Sequence, residues 1–320
     1  MNVEYLFMFG GFLLASYSIV ANDAIQTLGT FLSSNSKRPW WILWLFACSV
    51  LLAVFLYGWI SNNGDIAYGR LEKFPLPENF SWIYIIPPIV LLFLTKMGIP
   101  VSTTFLILTV FAPGNLGSML TKSLLGYVLA FITGILVYTF VTKALEKRFL
   151  STPYEEPPIK WVALQWMSTG FLWSQWLIQD LANIFAYLPR KLDTLTLIFS
   201  LLVMFALHAI IFYRRGGEIQ QIVTTKTNTQ DIRSATIVDF IYGFILLFFK
   251  EYSKMPMSTT WVFIGLLAGR EVAISHNLRN REMKDTGKII ISDALKAFVG
   301  LAVSILIAFG LPLLEQMVNQ

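Results

Sequence analysis

Two tripeptides of hydroxyl-bearing residues lie in the middle of long apolar stretches of this chain, where polar groups need a reason to be. They are Ser102-Thr103-Thr104 and Ser258-Thr259-Thr260. Each follows a proline by two positions, and the two copies are 156 residues apart in a chain of 320. Because that spacing is close to half of the chain, it indicates a duplicated unit that contains a polar site.

The proline before each tripeptide predicts a helix that begins at the tripeptide itself. Proline disfavours helix at the residue before it, and Ser and Thr are preferred N-caps. The start of a helix presents free N–H groups and a partial positive charge, which favour an anion. The pattern therefore predicts an oxyanion site lined by both tripeptides. The alternative is that these hydroxyls bond their own backbone, and the repetition after matching prolines favours the site.

Two pairs of amide and carboxylate residues repeat at almost the same offset. Asn22-Asp23 and Gln179-Asp180 place aspartates 157 residues apart, each inside an apolar stretch. An aspartate there is costly and marks an ion or substrate site by default. Carboxylates and amides supply the oxygen ligands that a hard cation needs. The pairs predict either a Na⁺ site between the aspartates or proton binding by each, the alternative being helix-capping aspartates at a solvated break.

Further amides lie one helical turn beyond these pairs. Gln26 follows Asn22 by four residues, and Asn183 follows Gln179 by four, so each half carries one Asn and one Gln on one helical face. We predict that Gln179 joins the hydroxyls in binding the substrate. The predicted cation-coupling residues are Asn22, Asp23, Gln26, Asp180 and Asn183, with Na⁺ held by Asp23 and Asp180 if sodium is the coupling ion. Asp239 is expected to be a lysine partner or a further cation ligand.

The composition is that of a polytopic membrane protein. The chain is 56% apolar and 13% charged, with a mean hydropathy of +0.63, whereas ordinary soluble domains carry about 25% charged residues. The net charge of +5 is expected from basic cytoplasmic loops and does not indicate a nucleic-acid partner. One cysteine excludes an intrachain disulfide, and the two histidines lack the spacing of a metal site.

A charged, proline-containing segment, 143–160, divides the chain nearly in half. We predict a first transmembrane repeat at 1–142, a cytoplasmic linker at 143–160 and a second, inverted repeat at 161–320. The predicted fold is all-α, each repeat having an interrupted helix, a full span, a re-entrant helical hairpin and a full span. The predicted elements are 5–34, 41–60, 82–94 with 103–111, and 123–141, then 161–188, 192–212, 237–249 with 260–267, and 289–314.

Basic residues predict how these elements are oriented in the bilayer. With both termini outside, the inside loops hold 15 Lys and Arg residues and the outside loops hold five, as the positive-inside rule requires. The inside loops in this count are 35–39, 143–160, 214–233 and 270–288. The first hairpin then enters from outside and the second from inside, so that their tips meet near the midplane, an architecture common among secondary transporters.

These blocks resemble the duplicated signature of the inorganic phosphate transporter (PiT) family. That signature reads Gly-Ala-Asn-Asp-Val-Ala-Asn-Ala and later Pro-Val-Ser-Thr-Thr-His in each half. The resemblance implies an ion-coupled permease that carries phosphate with Na⁺ or H⁺, or sulfate in one branch, in a multi-pass fold of the bacterial inner membrane and as a homodimer. The chain departs from the signature at several positions: Gln26 and Gln179 replace asparagines, Phe105 and Trp261 replace histidines, and the glycine that precedes Ala-Asn-Asp is absent.

The sequence therefore favours a cation-coupled symporter that imports an inorganic oxyanion and has no cofactor. Phosphate is preferred over sulfate because it carries an O–H that a carboxylate can accept. A membrane enzyme with a Ser or Thr nucleophile would need a base beside the hydroxyl, and neither histidine is near a tripeptide. A channel or sensor on the same scaffold is the remaining alternative.

Overall fold

A computed structural model of the protein describes residues 3–154, 156–217, 219–224, 229–278 and 283–318, and within these ranges every regular element is helical. The first half contains α1 (Val3–Ser34), α2 (Trp40–Ser61), α3 (Trp82–Lys96), α4 (residues 104–111), α5 (Leu116–Val141) and α6 (Lys147–Ser151). The second half contains α7 (Ile159–Phe185), α8 (Thr194–Tyr213), α9 (Gln220–Thr224), α10 (Ile232–Tyr252), α11 (Thr259–Leu278) and α12 (Met283–Val318).

Within the described ranges, six helices are long and apolar enough to cross a bilayer, and the chain is an integral membrane protein. They are α1, α2, α5, α8, α10 and the part of α12 at Lys284–Leu314. Four of these, α2, α5, α8 and α12, were predicted as full spans, α1 as an interrupted helix and α10 as a leg of the second hairpin. The other predicted interrupted helix, 161–188, corresponds to α7, whose 27 residues make a helix about 40 Å long. That helix is rich in buried amides and hydroxyls. Such groups need hydrogen-bond partners when they are buried in an apolar interior.

Contacts between loops define the two ends of the molecule. At the end that carries loop 62–81, the Trp59 indole donates to the carbonyl of Leu192 (2.8 Å), and Tyr187 donates to the carbonyl of Tyr84 where α3 begins (2.9 Å). At the opposite end, which carries 143–160, the Ile232 N–H donates to the Tyr154 hydroxyl (2.9 Å). Hairpin 1 (α3 and α4) therefore opens toward the 62–81 end, and hairpin 2 (α10 and α11) opens toward the 143–160 end.

Three details of the predicted elements were wrong. The first helix is not broken at Asn22-Asp23 but contains a π-helical turn over Val20–Ala24, and α7 is a regular helix through Gln179 and Asp180. The legs of hairpin 2 have 21 and 20 residues and are longer than the apolar runs that predicted them. In each case a continuous helix keeps its backbone groups bonded inside the membrane, and the polar residues find partners in the interior.

Each hairpin packs against helices from both halves. The first legs α3 and α10 contact α1 and α7, the first helices of their own halves, while the second legs contact the last helix of the opposite half. Glycines permit the closest of these contacts, between α5 and α11. A Cβ at Gly134 would lie 2.7 Å from the carbonyl oxygen of Leu266, and one at Gly269 would overlap the carbonyl of Phe131.

A buried ion pair joins the same two helices near the 143–160 end. Arg270 of α11 and Glu146, in a π-helical turn that extends α5, lie 3.2 Å apart with fully buried side chains. Ser234 of α10 donates to Glu146 (2.9 Å), and the Arg270 guanidinium lies over the ring of Tyr138. Charges buried this deeply are stable only when paired and hydrogen-bonded, so this cluster holds hairpin 2 firmly against α5.

Candidate functional site

The two Ser-Thr-Thr tripeptides meet in the interior of the molecule. The Thr104 hydroxyl donates to the carbonyl of Met257 (3.0 Å), and the Thr260 hydroxyl donates to the carbonyl of Val101 (3.3 Å). Met257 and Val101 hold equivalent positions, each just before its own tripeptide. The tips of the inverted hairpins therefore exchange a symmetrical pair of hydrogen bonds.

Both serines cap the helix that follows them. Ser102 accepts from the N–H of Phe105 (3.3 Å), and Ser258 accepts from the N–H of Trp261 (3.2 Å), as expected of an N-cap side chain. The serine oxygens are thus used within the fold. The rings of Phe105 and Trp261 pack edge to face with centroids 5.6 Å apart. The two residues that replace the signature histidines therefore contact one another beside the tips.

Asp23 lies where α1 passes both hairpin tips, and four donors face its carboxylate. Thr103 of hairpin 1 donates to one carboxylate oxygen. The other accepts from Asn22 (2.7 Å) and, at 3.4 Å, from Gln26. It also lies 3.3 Å from the hydroxyl of Thr260 in hairpin 2, whose single proton is shared between this oxygen and the carbonyl of Val101. The carboxylate therefore connects α1 to both tripeptides.

Asp180 on α7 is the counterpart of Asp23, but it is less completely bonded. One of its oxygens accepts from Asn183 (2.9 Å), and Thr259 lies beside the carboxylate. The same Asn183 amide nitrogen also lies 3.0 Å from the Thr103 hydroxyl and 3.2 Å from the Thr104 hydroxyl. Asn183 thus connects the second carboxylate to the first hairpin.

Five buried side-chain oxygens at this site have no hydrogen-bond partner among the described residues. They are Asn22 Oδ1, Gln26 Oε1, Gln179 Oε1, Asp180 Oδ2 and Asn183 Oδ1. All five are acceptors, and neither aspartate forms an ion pair with a Lys or Arg of the described chain. Unpartnered oxygens around two buried carboxylates are costly, and a bound cation would satisfy them.

The oxygen ligands available at this site are suited to a hard cation and not to a transition metal. Within the described part of the chain, no group of three His, Cys, Asp or Glu residues comes together. The available ligands are two carboxylates and amide oxygens, which alkali and alkaline-earth ions prefer over soft metals. Gln179 was predicted to bind the substrate, but its amide nitrogen donates to the carbonyl of Leu246 (2.9 Å). Its oxygen is the group left for a ligand.

The structure brings together all twelve residues that the sequence singled out, and it encloses them. Each of the twelve side chains is at most 4% exposed. Water therefore reaches the site from neither end of the molecule in this conformation. The enclosure is consistent with an occluded state, in which electrostatic interactions are stronger than in water.

Two other polar residues lie near the site: Ser123 was not singled out from the sequence, and Asp239 was expected to be a lysine partner or a further cation ligand. Ser123 of α5 accepts from the N–H of Ser258 (2.8 Å). Asp239 of α10 is fully buried and accepts from Thr30 and Thr169, nearer to the 143–160 end. The position of Asp239 inside an apolar helix was a sufficient signal, whereas nothing in the sequence marked Ser123.

Comparisons with known proteins were made for the sequence and for the fold. No family model and no curated protein matches the sequence. Among solved structures, the sodium-dependent phosphate transporter is similar, with a TM-score of 0.60 and 15% identity over 98% of this chain and 100% of that one. Since the similarity covers both chains almost completely, this protein has the same fold as that transporter.

Proposed function

We propose that this protein is a cation-coupled symporter that imports an inorganic oxyanion, with phosphate as the substrate. One observation carries the proposal: two buried carboxylates lie where two inverted helix starts meet. Five side-chain oxygens there, four from amides and one from Asp180 itself, have no partner among the described residues. The oxygens attract a cation, and the helix starts attract an anion. A single enclosed site thus offers complementary positions for two ions of opposite charge.

Coupling follows from the placement of these charges. Without a cation, the carboxylates of Asp23 and Asp180 repel an anion that approaches the tripeptides. A cation bound to the free oxygens screens that repulsion, so that each ion raises the affinity for the other by the same factor. Na⁺ is the preferred coupling ion, since the amide oxygens are suited to metal coordination and the similar solved protein is named as sodium-dependent.

Phosphate is preferred over sulfate for a chemical reason. At neutral pH phosphate retains at least one O–H, which a carboxylate can accept as a hydrogen bond. Sulfate has acceptors alone, so a bare carboxylate oxygen such as Asp180 Oδ2 repels it unless a cation lies between them. Transport of sulfate instead of phosphate is therefore the alternative that the experiment must separate.

The orientation that we propose follows from the basic loops. The 143–160 end carries most of the Lys and Arg residues, so we assign it to the cytoplasm, with the 62–81 end and both termini outside. Substrate then enters from the 62–81 end. We place the protein in the inner membrane of a bacterium.

The test is uptake of labelled phosphate and sulfate into proteoliposomes that contain the purified full chain. We expect phosphate uptake under an inward Na⁺ gradient and little uptake when choline replaces Na⁺. Uptake driven by a pH gradient alone would reassign the coupling ion to H⁺. Faster uptake of sulfate than of phosphate would reassign the substrate, and uptake of neither anion under either gradient would refute the symporter.

A further inference from the structure

Two buried cations hold the tip of hairpin 2 at the 62–81 end. The Lys122 ammonium of α5 donates to the carbonyls of Ser253 (2.7 Å) and Met255 (2.6 Å). The Arg70 guanidinium, from loop 62–81, lies 3.4 Å from the carbonyl of Lys254, which it faces as a donor. Three consecutive carbonyls of the tip therefore face two positive charges. We call Arg70, Lys122 and the carbonyls of residues 253–255 the vestibule.

The fold of loop 62–81 explains how an arginine comes to be buried here. The Asp65 carboxylate accepts from the N–H groups of Ala67 (2.8 Å) and Gly69 (2.7 Å). Tyr68 and Gly69 both adopt positive φ, at 56° and 72°, a conformation that costs a non-glycine residue energy. This turn directs the next residue, Arg70, toward the protein interior instead of toward solvent.

Neither cation of the vestibule has a carboxylate in direct contact among the described residues. Arg70 is 3% exposed and Lys122 is 5% exposed, and neither forms an ion pair in the part of the chain that the structure describes. Glu72, the carboxylate in the same loop, pairs instead with Lys254 (3.4 Å), with both side chains largely exposed. Burial lowers the pKa of Arg70 to about 10, so its guanidinium remains charged at neutral pH.

A small cavity lies between loop 62–81 and the tip. Its volume is about 90 Å³, and residues 253–256 of the tip form one side of it. On the loop side Arg70, Glu72 and Lys73 are among the lining residues, whereas Lys122 is not. That is room for about three water molecules at roughly 30 Å³ each. Arg70 also interacts electrostatically with Asp180, so the vestibule lies within reach of the enclosed site.

We propose that Arg70 and Lys122 bind the inorganic oxyanion before it reaches the Ser-Thr-Thr tripeptides. The anion takes the place of the tip carbonyls and thereby frees the tip of hairpin 2. A charged acceptor forms stronger hydrogen bonds with these cations than a neutral carbonyl does, and the planar guanidinium of Arg70 can contact two oxygens at once. This inference rests on the proposed function, because it gives the same substrate a first binding position.

Binding in the absence of Na⁺ separates the vestibule from the enclosed site. We would measure equilibrium binding of labelled inorganic phosphate to the purified full chain in Na⁺-free buffer of low ionic strength. We expect binding by the unchanged protein and by Asp180→Asn, and at least about tenfold weaker binding by Arg70→Gln and Lys122→Gln. Arg70→Lys should bind with intermediate affinity, since it keeps the charge but loses the planar fork.

The kinetic arm uses the same variants in proteoliposomes. We expect Arg70→Gln to raise the KM for phosphate about tenfold. Vmax and the half-saturating Na⁺ concentration, both measured at saturating phosphate, should stay within about twofold of their values in the unchanged protein. The matched control is Lys191→Gln, which removes an exposed lysine from the same end and should change KM by less than about twofold.

Several outcomes would overturn the vestibule. One is Na⁺-free binding that is absent from the unchanged protein or equal in Arg70→Gln. Another is an effect of Lys191→Gln as large as that of Arg70→Gln, which would indicate general surface charge. A third is a change of both Vmax and Na⁺ dependence in Arg70→Gln, which would show that the cations only stabilise the tip of hairpin 2. Failure of the symporter is distinguishable, since the unchanged protein would then transport neither anion whatever the binding result.

Discussion

The two halves of the molecule hold equivalent aspartates in different ways. Asp23 accepts hydrogen bonds from its own helix and from both hairpins, and each of its two oxygens has at least one donor. Asp180 accepts from Asn183 and keeps one oxygen without a partner. The local backbone differs as well, because Asp23 lies in a π-helical turn and Asp180 in a regular helix. We infer that Asp23 mainly assembles the site and that Asp180 mainly binds the cation.

The largest expected effect is on Asp180. Asp180→Asn places an NH₂ group where the cation would bind, so we expect Na⁺-driven phosphate uptake to fall on the order of 100-fold. The fold should persist, since an amide is less costly to bury than an unpaired carboxylate. Uptake in proteoliposomes and the thermal-unfolding midpoint of the purified protein test this. Retained Na⁺ dependence would exclude Asp180 as the main cation ligand.

Asp23→Asn should act on stability first. The amide presents an NH₂ group to Thr103 and removes the charge that four donors share, which we expect to cost about 2–3 kcal/mol of unfolding free energy. Denaturant or thermal unfolding in detergent, side by side with Asp180→Asn, measures the difference. The distinction between the two aspartates fails if Asp180→Asn is the less stable variant.

Thr103→Val should have the next largest effect. It removes the donor to Asp23 and the acceptor for Asn183, and we expect a roughly 10- to 100-fold loss in Vmax/KM for phosphate, because a buried charged group loses a partner. Thr109→Val is the matched control. Its hydroxyl donates to the carbonyl of Phe105 in the same helix, so uptake should be unchanged. An equal loss in both variants would point to helix packing alone.

The bonds between the hairpin tips predict unequal effects. Thr104→Val removes one hydroxyl that donates across the interface, which we expect to cost about 1 kcal/mol, or about fivefold in KM for phosphate. Thr260→Val removes the corresponding bond and also the hydroxyl that faces Asp23, so we expect a larger loss. Parallel uptake kinetics of the two variants provide the comparison, and equal losses would show that the contact of Thr260 with Asp23 does not contribute to transport.

The smallest effects are expected at the N-caps. Ser102→Ala and Ser258→Ala should each lower the unfolding free energy by about 1 kcal/mol, with Na⁺ dependence retained, because both serine oxygens are used within their own helix starts. Thermal unfolding and Na⁺ titration of uptake test both points. Loss of Na⁺ dependence in either variant would mean that the serine hydroxyl contacts an ion.

Sequence patterns within short segments made much of the fold predictable. The N-cap role of Ser102 and Ser258 follows from the proline and hydroxyl pattern, and the inverted arrangement of the hairpins follows from the repeat and the basic loops. The length of hairpin 2 was underestimated because Arg233 and Arg270 lie just beyond the apolar runs that predicted its legs. Both side chains have buried partners from distant segments, which a single stretch of sequence does not reveal.

The residues of the candidate site were predictable from the sequence, but the different hydrogen bonding of its two aspartates was not. The twelve residues come together as expected, yet a sequence does not show which carboxylate lacks donors, since the donors to Asp23 come from hairpins 80 and 237 residues away. Arg70 and Lys122 are two of the five basic residues that the sequence placed in outside loops. Their acceptors are backbone carbonyls of the other half, and a carbonyl has no signature in sequence.

The close packing of α5 on α11 has a mechanical consequence. With Gly134 and Gly269 against backbone carbonyls and Arg270 paired with Glu146, hairpin 2 cannot slide along α5, so the two must travel together. A rigid body that includes both contains parts of each sequence repeat. The boundary between this rigid body and the rest of the protein therefore runs through both repeats. Cutting the chain within 143–160 would separate the two sequence repeats but would not separate the rigid body from the rest of the protein.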